Sequence, residues 1–327
     1  MSNHVECPLC GFENKVSLQA LERVKIRCAR CKLYLKTSSH AKFRHLDPAV
    51  YRHPLEIEAF KKLSLMPGIN TVLQKISPLL EQNYSETFFA ANGLRVGPQQ
   101  YPDLYAKLEI ACRTLGYAKV PSLYVSFMGL HGDMGLHSYA AGDASPFIVI
   151  SPEALEHLAE EEVLALLSHE LGHIQMGTLR YRMAADVLGI LMSKTFRKTP
   201  LEVFADSISL PVQQAILNWR LYANLSADRS AILVLQEPQA VFSLLLKLSG
   251  GIGSRVNLDA FVAHAENFEG EKMTRWIEQY WQQFLFSRQI PSFPVWRAYE
   301  INNWSKPSRK GYGFQDIVKI FAVTKGE

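Results

Sequence analysis

The sequence lacks the long apolar segments of a membrane protein. No run reaches the ~20 apolar residues that span a bilayer, and the longest run near the middle, residues 183–192, contains Asp186. The N-terminus is polar and carries cysteines within its first ten residues, which is unlike a signal peptide. We therefore expect a soluble, cytoplasmic protein with no membrane span.

A strong charge imbalance is also lacking. The formal net charge of the 327 residues is +4 and the basic residues are dispersed, so we expect no nucleic-acid partner. Hydrophobic residues make up 48% and charged residues 20%, which is typical of folded globular proteins. Without internal repeats, this length allows one large domain or two ordinary ones.

Cysteine is scarce, and four of the five cysteines form two C-x2-C pairs separated by seventeen residues, namely Cys7, Cys10, Cys28 and Cys31. This spacing is typical of a structural zinc site in a zinc ribbon. Gly11 should relieve backbone strain after the first pair, and residues 16–26 should supply short strands. The alternative is a set of redox dithiols or disulfides, which this spacing favours less in a cytoplasmic protein. Cys112 is expected to be a buried free thiol.

These patterns divide the chain into three parts. We predict a zinc ribbon at residues 1–36, a polar and basic linker at 37–46, and a larger domain at 47–327. The ribbon is only mildly basic and has few aromatic side chains. We therefore expect it to be structural or to dock a protein partner, rather than to bind nucleic acid.

One helical segment carries the pattern H-E-x-x-H, as His169-Glu170-Leu171-Gly172-His173. Positions i and i+4 share a helix face, so the two imidazoles can hold a metal while Glu170 reaches a water bound to it. A helical projection leaves Ser168, Gly172 and Gln175 for solvent. The alternative is a chance match on a core helix, but two imidazoles and a carboxylate are costly to bury without a partner.

The remaining pattern is mainly helical. Strands are predicted at residues 122–127 and 147–150, with a Gly-rich segment between them that contains His131, Asp133 and His137. A long helix over residues 209–236 places Asn224 and Asp228 one turn apart on one face. Further helices are predicted at 55–65, 69–84, 102–115, 181–196, 237–248, 258–268, 272–286, 296–304 and 314–323, with a loop at 198–206. His45 and His53 are expected on the surface.

The order of these features resembles the M48 family of zinc metallopeptidases over most of residues 51–310. The matching stretches are Tyr51-Arg52-His53-Pro54-Leu55, Met66-Pro67-Gly68, Ala141-Gly142, the H-E-x-x-H pattern, Trp219-x-x-Tyr222 and Ala227-Asp228-Arg229. The resemblance implies an α+β, mainly helical, zincin-like fold. It also implies that His169 and His173 are zinc ligands and that Glu170 is the general base.

The sequence departs from the family pattern at three places. The family's downstream helix reads E-x-x-A-D with the Glu as third zinc ligand, but Asn224 stands at that position. An amide is a weaker donor, so zinc affinity should fall, and Asp228 is the next candidate ligand. The family's Asn-Ala pair appears as His137-Ser138, which with Tyr139 form the predicted substrate-binding strand. Many family members carry a His-Pro pair before a segment like residues 293–297, and here that pair is replaced by Pro291-Ser292.

We thus expect a zinc metalloendopeptidase that hydrolyses peptides or unfolded proteins with a zinc-activated water and Glu170 as general base. It would hold one catalytic zinc and one structural zinc. The alternative is a degenerate peptidase that serves as a protein-binding scaffold, which the three departures favour and the intact Glu170 disfavours.

Overall fold

The computed structural model describes residues 4–36, 38–43, 46–75, 85–128, 135–192, 208–251, 253, 255–280, 292–306 and 313–322. Within these ranges the chain is α+β and mainly helical, as expected. No helix in the described ranges is long and apolar enough to cross a membrane.

The strands are β1 (Val5–Glu6), β2 (Glu13–Asn14), β3 (Leu94–Arg95), β4 (Ser122–Val125), β5 (Ser138–Ala141) and β6 (Phe147–Ile150). The α-helices are α1 (Leu18–Arg23), α2 (Pro54–Ser64), α3 (Glu86–Asn92), α4 (Pro102–Leu115), α5 (Pro152–His157), α6 (Glu160–Gln175), α7 (Leu179–Met192), α8 (Leu210–Leu235), α9 (Gln239–Leu248), α10 (Leu258–Glu266), α11 (Gly270–Tyr280), α12 (Pro294–Ser305) and α13 (Phe314–Phe321). A 3-10 helix spans Pro48–Val50, and residues 69–75 are also helical.

The larger sheet has the strand order β3-β4-β6-β5. Strand β6 is apolar and buried along its whole length, which suits a central strand. It pairs in parallel with β4 and antiparallel with β5. Strand β5 therefore forms one edge of this sheet, and it packs against helix α6.

Helices α6 and α8 cross at small side chains. A Cβ atom on Gly172 would lie 2.2 Å from Oγ of Ser230 and 3.3 Å from Cα of Ala227. Ser230 Oγ also donates to the carbonyl of Ser168 over 2.8 Å. The prediction that Ser168 and Gly172 face solvent was therefore wrong, because these small residues form the contact surface for α8. Gln175 is half-buried.

The N-terminal ribbon begins with the antiparallel pair β1–β2. The residue after each C-x2-C pair adopts a left-handed conformation, Gly11 with φ +75° and Lys32 with φ +61°. The expectation for Gly11 is thus confirmed. The prediction of strands over residues 16–26 was wrong, because this segment contains helix α1. The Ser17 side chain caps α1 by accepting from the amide of Ala20.

The ribbon packs directly on the helical domain. Arg27 Nη1 lies 3.1 Å from Glu161 Oε1 in the first turn of α6, and the amide of Tyr34 donates to the same oxygen over 3.3 Å. The segment predicted as a linker contributes the fully buried Phe43, whose amide donates to the carbonyl of Thr114 over 2.8 Å. The boundaries at residues 36 and 46 stay a prediction.

Most helix predictions are confirmed within one to four residues of their ends. The prediction that His53 lies on the surface was wrong, because it is 6% exposed and its Nδ1 accepts from the Leu55 amide at the start of α2. Its Nε2 lies 3.2 Å from Glu300 Oε2. The predictions for His45, His131, Asp133 and Pro291, the loop at 198–206 and the distal parts of the helices at 69–84, 181–196 and 272–286 lie outside the described residues.

Candidate active site

Helix α6 brings the imidazoles of His169 and His173 together. Their Nε2 atoms are 3.2 Å apart, and the side chains are buried. Two nitrogens that bind one tetrahedral zinc at 2.0–2.1 Å stand about 3.3 Å apart. The two Nε2 atoms therefore fit a shared metal ion.

Asp228 lies on the other side of the His169 ring. Its Oδ1 accepts from His169 Nδ1 over 2.8 Å, and Arg297 contacts both carboxylate oxygens, Nη2 to Oδ1 at 2.6 Å and Nε to Oδ2 at 2.7 Å. Burial would raise the pKa of Asp228, but Arg297 and His169 lower it to about 2. The carboxylate is thus ionised and engaged on the Nδ1 side of His169, so it orients the ring.

Asn224 lies one turn before Asp228 on the same face of α8. Its Oδ1 accepts from Arg220 Nη1 over 3.1 Å. Within the described residues, no third Cys, His, Asp or Glu donor joins the two Nε2 atoms in a metal-sized cluster. The structure therefore brings His169, His173 and Asp228 together but directs the Asn224 oxygen to an arginine.

Glu170 of α6 is buried at 2% exposure and contacts strand β5 and helix α7. Ser138 Oγ donates to its Oε1 over 2.8 Å, while the Ala140 amide at 2.8 Å and Arg182 Nη1 at 2.6 Å donate to its Oε2. Burial would raise the pKa of Glu170, but Arg182 and His169 lower it to about 2. The carboxylate is therefore anionic and fixed by three donors.

The predicted substrate-binding residues are His137, which directly precedes β5, and the first two residues of that strand. The backbone amide of His137 donates to Ser151 Oγ over 3.2 Å, and its Nδ1 lies 3.0 Å from the carbonyl of Gly135. Ser138 contacts Glu170, as described above. Tyr139 points to the opposite face, because side chains alternate along a strand, and its ring packs on Phe89 at 5.6 Å.

Three arginines surround the site and were missed by the sequence reasoning: Arg182, Arg220 and Arg297. The pKa of His173 lies well below its usual value, first because the imidazole is buried and then because these arginines and His169 place positive charge near it. The pairs Arg182/Asp186 and Arg220/Asn224 have i, i+4 spacing, so a search for such pairs on α7 and α8 could have found two of them. No local signal marks Arg297.

The four cysteines of the ribbon form a separate metal-sized cluster. Their sulfur atoms all lie within 4.8 Å of one another, with Cys7 and Cys31 at 3.9 Å and Cys10 and Cys28 at 3.6 Å. Four thiolates that bind one zinc at about 2.3 Å stand about 3.8 Å apart, so the cluster fits zinc. Cys112 is buried elsewhere, and burial raises the pKa of its thiol to about 12.

Comparison with known proteins gives a consistent result. The family model of peptidase family M48 matches residues 98–300, which include α6, α8 and strand β5. The curated plastoglobule-localized metallopeptidase 48, chloroplastic, of Arabidopsis thaliana is 28% identical over 267 residues, or 81% of this chain and 74% of the relative. No solved structure matches the chain. Because the family model covers more than half of the sequence, the chain belongs to peptidase family M48, a family of metallopeptidases.

Proposed function

We propose that the chain is a zinc-dependent endopeptidase in which His169 and His173 hold a catalytic zinc and Glu170 is the general base. The observation that carries the proposal is the 3.2 Å separation of the two Nε2 atoms on a helix that also carries Glu170. A bound zinc would polarise the scissile carbonyl and make a water acidic near neutral pH.

Asp228 prepares His169 for this role. Because Asp228 accepts the Nδ1 proton, the lone pair of the neutral imidazole lies on Nε2, which is the atom that faces His173. Arg297 in turn fixes Asp228 through two charged hydrogen bonds.

Glu170 would accept a proton from the attacking water and donate it to the leaving amine. Its three donors hold the carboxylate in one orientation, and two of them belong to strand β5. The same strand would therefore position both the base and the substrate.

The substrate class we propose is an extended peptide or an unfolded protein. An extended chain would add to the edge of β5 that does not face β6, where backbone hydrogen bonds give affinity with little sequence preference. The Ala140 amide lies on this edge and already donates to Glu170, so Glu170 would stand beside the bound peptide.

The test compares wild type with Glu170→Gln on an unfolded substrate such as casein. The variant should lose at least about 100-fold in cleavage rate and keep its zinc content. Glu156→Gln, at an exposed position on α5, is the matched control and should cleave normally. Retained cleavage by Glu170→Gln would overturn the mechanism. Wild type that binds only the ribbon zinc and cleaves nothing would favour the scaffold alternative.

We propose further that a protein partner docks on the ribbon and that the enzyme acts in the cytoplasm. The Arabidopsis relative is, by its name, localized to chloroplast plastoglobules. Cell fractionation with a tagged chain tests the compartment, because recovery in a membrane or lipid fraction would contradict it.

A further inference from the structure

Helix α8 presents Arg220, Asn224 and Asp228 in succession, each one turn apart. Arg220 Nη1 donates to Asn224 Oδ1 over 3.1 Å, and Arg220 Nε donates to Asp186 Oδ1 over 3.1 Å. The side chains of Arg220 and Asp186 are only 14% and 10% exposed. The amide oxygen at the usual third-ligand position is thus already the acceptor of a largely buried guanidinium.

A guanidinium at this place opposes coordination in two ways. It withdraws electron density from the amide oxygen that it contacts, and its fixed charge repels a cation bound beside it. Arginine remains protonated at any physiological pH, so this repulsion is permanent. Asp186 holds the guanidinium in place from the neighbouring helix α7.

The same geometry would intercept a carboxylate at position 224. A glutamate there would stand four residues after Arg220, the spacing at which opposite charges on a helix meet. A guanidinium binds a carboxylate through charged, often bidentate, hydrogen bonds. A glutamate at position 224, the family's usual residue, would therefore form an ion pair with Arg220 instead of coordinating the metal.

We propose that Arg220 keeps residue 224 out of the metal coordination, so that the described residues offer the active-site metal only two protein ligands and the metal exchanges readily. The inference rests on the proposed metal site at His169 and His173. The chain would then carry two zinc sites of unequal affinity, because the ribbon site offers four buried thiolates.

The first measurement is a chelator challenge of the full-length protein loaded with zinc. About one equivalent should pass rapidly to a colorimetric chelator, and the second should leave only after a mercurial blocks the ribbon thiols. Retention of both equivalents, or release of both in one phase, would overturn the proposal.

The second measurement isolates Arg220 by zinc titration of four proteins: wild type, Asn224→Glu, Arg220→Met with Asp186→Asn, and the triple variant. Asn224→Glu alone should change the affinity of the exchangeable site by less than about threefold, whereas in the charge-free background it should tighten zinc about 100-fold. Asn224→Glu with Arg220→Lys keeps the positive charge and should behave like Asn224→Glu alone. Arg180→Met, at an exposed position on α7, is the control and should bind as wild type does.

The outcomes separate this inference from the proposed function. A 100-fold gain for Asn224→Glu alone overturns the role of Arg220 and leaves the proposed function intact, even if the triple variant does not fold. The same holds if wild type binds the exchangeable zinc as tightly as the triple variant. Failure of every folded variant to bind zinc beyond the ribbon equivalent overturns the proposed function as well.

Discussion

Asp228 Oδ1 stands 2.8 Å from Nδ1 of His169, while Arg297 donates to both oxygens of the same carboxylate. Asp228, which the sequence suggests as a substitute metal ligand, thereby orients the His169 ring. The Arg297–Asp228 ion pair is removed from solvent, with side chains 6% and 2% exposed. Removing one partner of this pair should therefore have a large effect on stability.

Arg297→Met should lower the free energy of unfolding by about 3–5 kcal/mol, because it leaves a buried carboxylate without its cation. Urea denaturation measures the change. The additional replacement Asp228→Asn removes the stranded charge and should restore at least half of the loss. Arg30→Met, which breaks the more exposed Arg30–Glu109 pair, is the control and should cost less than about 1 kcal/mol. Equal effects of the two arginine variants would contradict the assigned pairing.

Gly172→Ala should destabilise the protein by about 1–3 kcal/mol, because the new methyl group would overlap Ser230 and push α6 away from α8. Alanine improves helix propensity by only about 0.5–1 kcal/mol, so the overlap should win. Thermal unfolding measures the outcome. In the double variant with Ser230→Gly, the loss of stability should be smaller than the sum of the losses in the two single variants. Gly97→Ala, where nothing lies within 4 Å, is the control; a raised Tm for Gly172→Ala would refute the close crossing.

Stability should fall as the pH drops from about 7 to about 4, in part through His40. Burial, followed by the nearby charge of Lys36, lowers the pKa of His40 to about 4. The unfolded chain binds a proton at its ordinary pKa near 6.5, whereas the folded chain resists protonation until the lower value, so acid favours unfolding. Chemical denaturation at each pH measures the free energy of unfolding. Between pH 7 and pH 4 this free energy should fall by up to about 3 kcal/mol less in His40→Gln than in wild type. His264→Gln, at an exposed position, is the control variant. Parallel curves for wild type and His40→Gln would contradict the assignment.

Cys28→Ser should remove about one equivalent of zinc and unfold the ribbon, because a domain of this size folds with its metal. Glu161 would lose Arg27 and the Tyr34 amide, so the first turn of α6 should become more accessible to protease. Elemental analysis and limited proteolysis measure the two effects. Cys112→Ser lies outside the cluster and should keep the full zinc content. Unchanged zinc in Cys28→Ser would rule out the four-cysteine site.

The parts of the site that depend on helix period could be predicted from the sequence. His169 and His173 share a face because they are four residues apart, and the same spacing places Asn224 and Asp228 together. The partners of these residues could not be predicted, because they depend on the tertiary arrangement. Arg297 is 69 residues from Asp228 along the chain, and no sequence pattern near either residue predicts their contact.

The errors on exposure have a similar physical origin. His53 follows the charged Arg52 and was expected on the surface, yet its backbone amide donates to Ser226 of α8 and its side chain is buried. Ser168 and Gly172 have small side chains that carry little hydropathy signal, but small residues are what a close helix crossing requires. In the ribbon, the Ser17 side chain caps and stabilises helix α1 in a segment where strands were predicted.

The crossing at Gly172 and Ser230 has a mechanical consequence. With no space between them, α6 and α8 cannot slide along each other without breaking the bond from Ser230 to Ser168. His169, His173 and Asp228 therefore belong to one rigid unit. Their backbone amides should be among the slowest in hydrogen exchange. Adaptation to peptides of different shape would then fall to strand β5, which in the described structure pairs with a neighbouring strand on only one side.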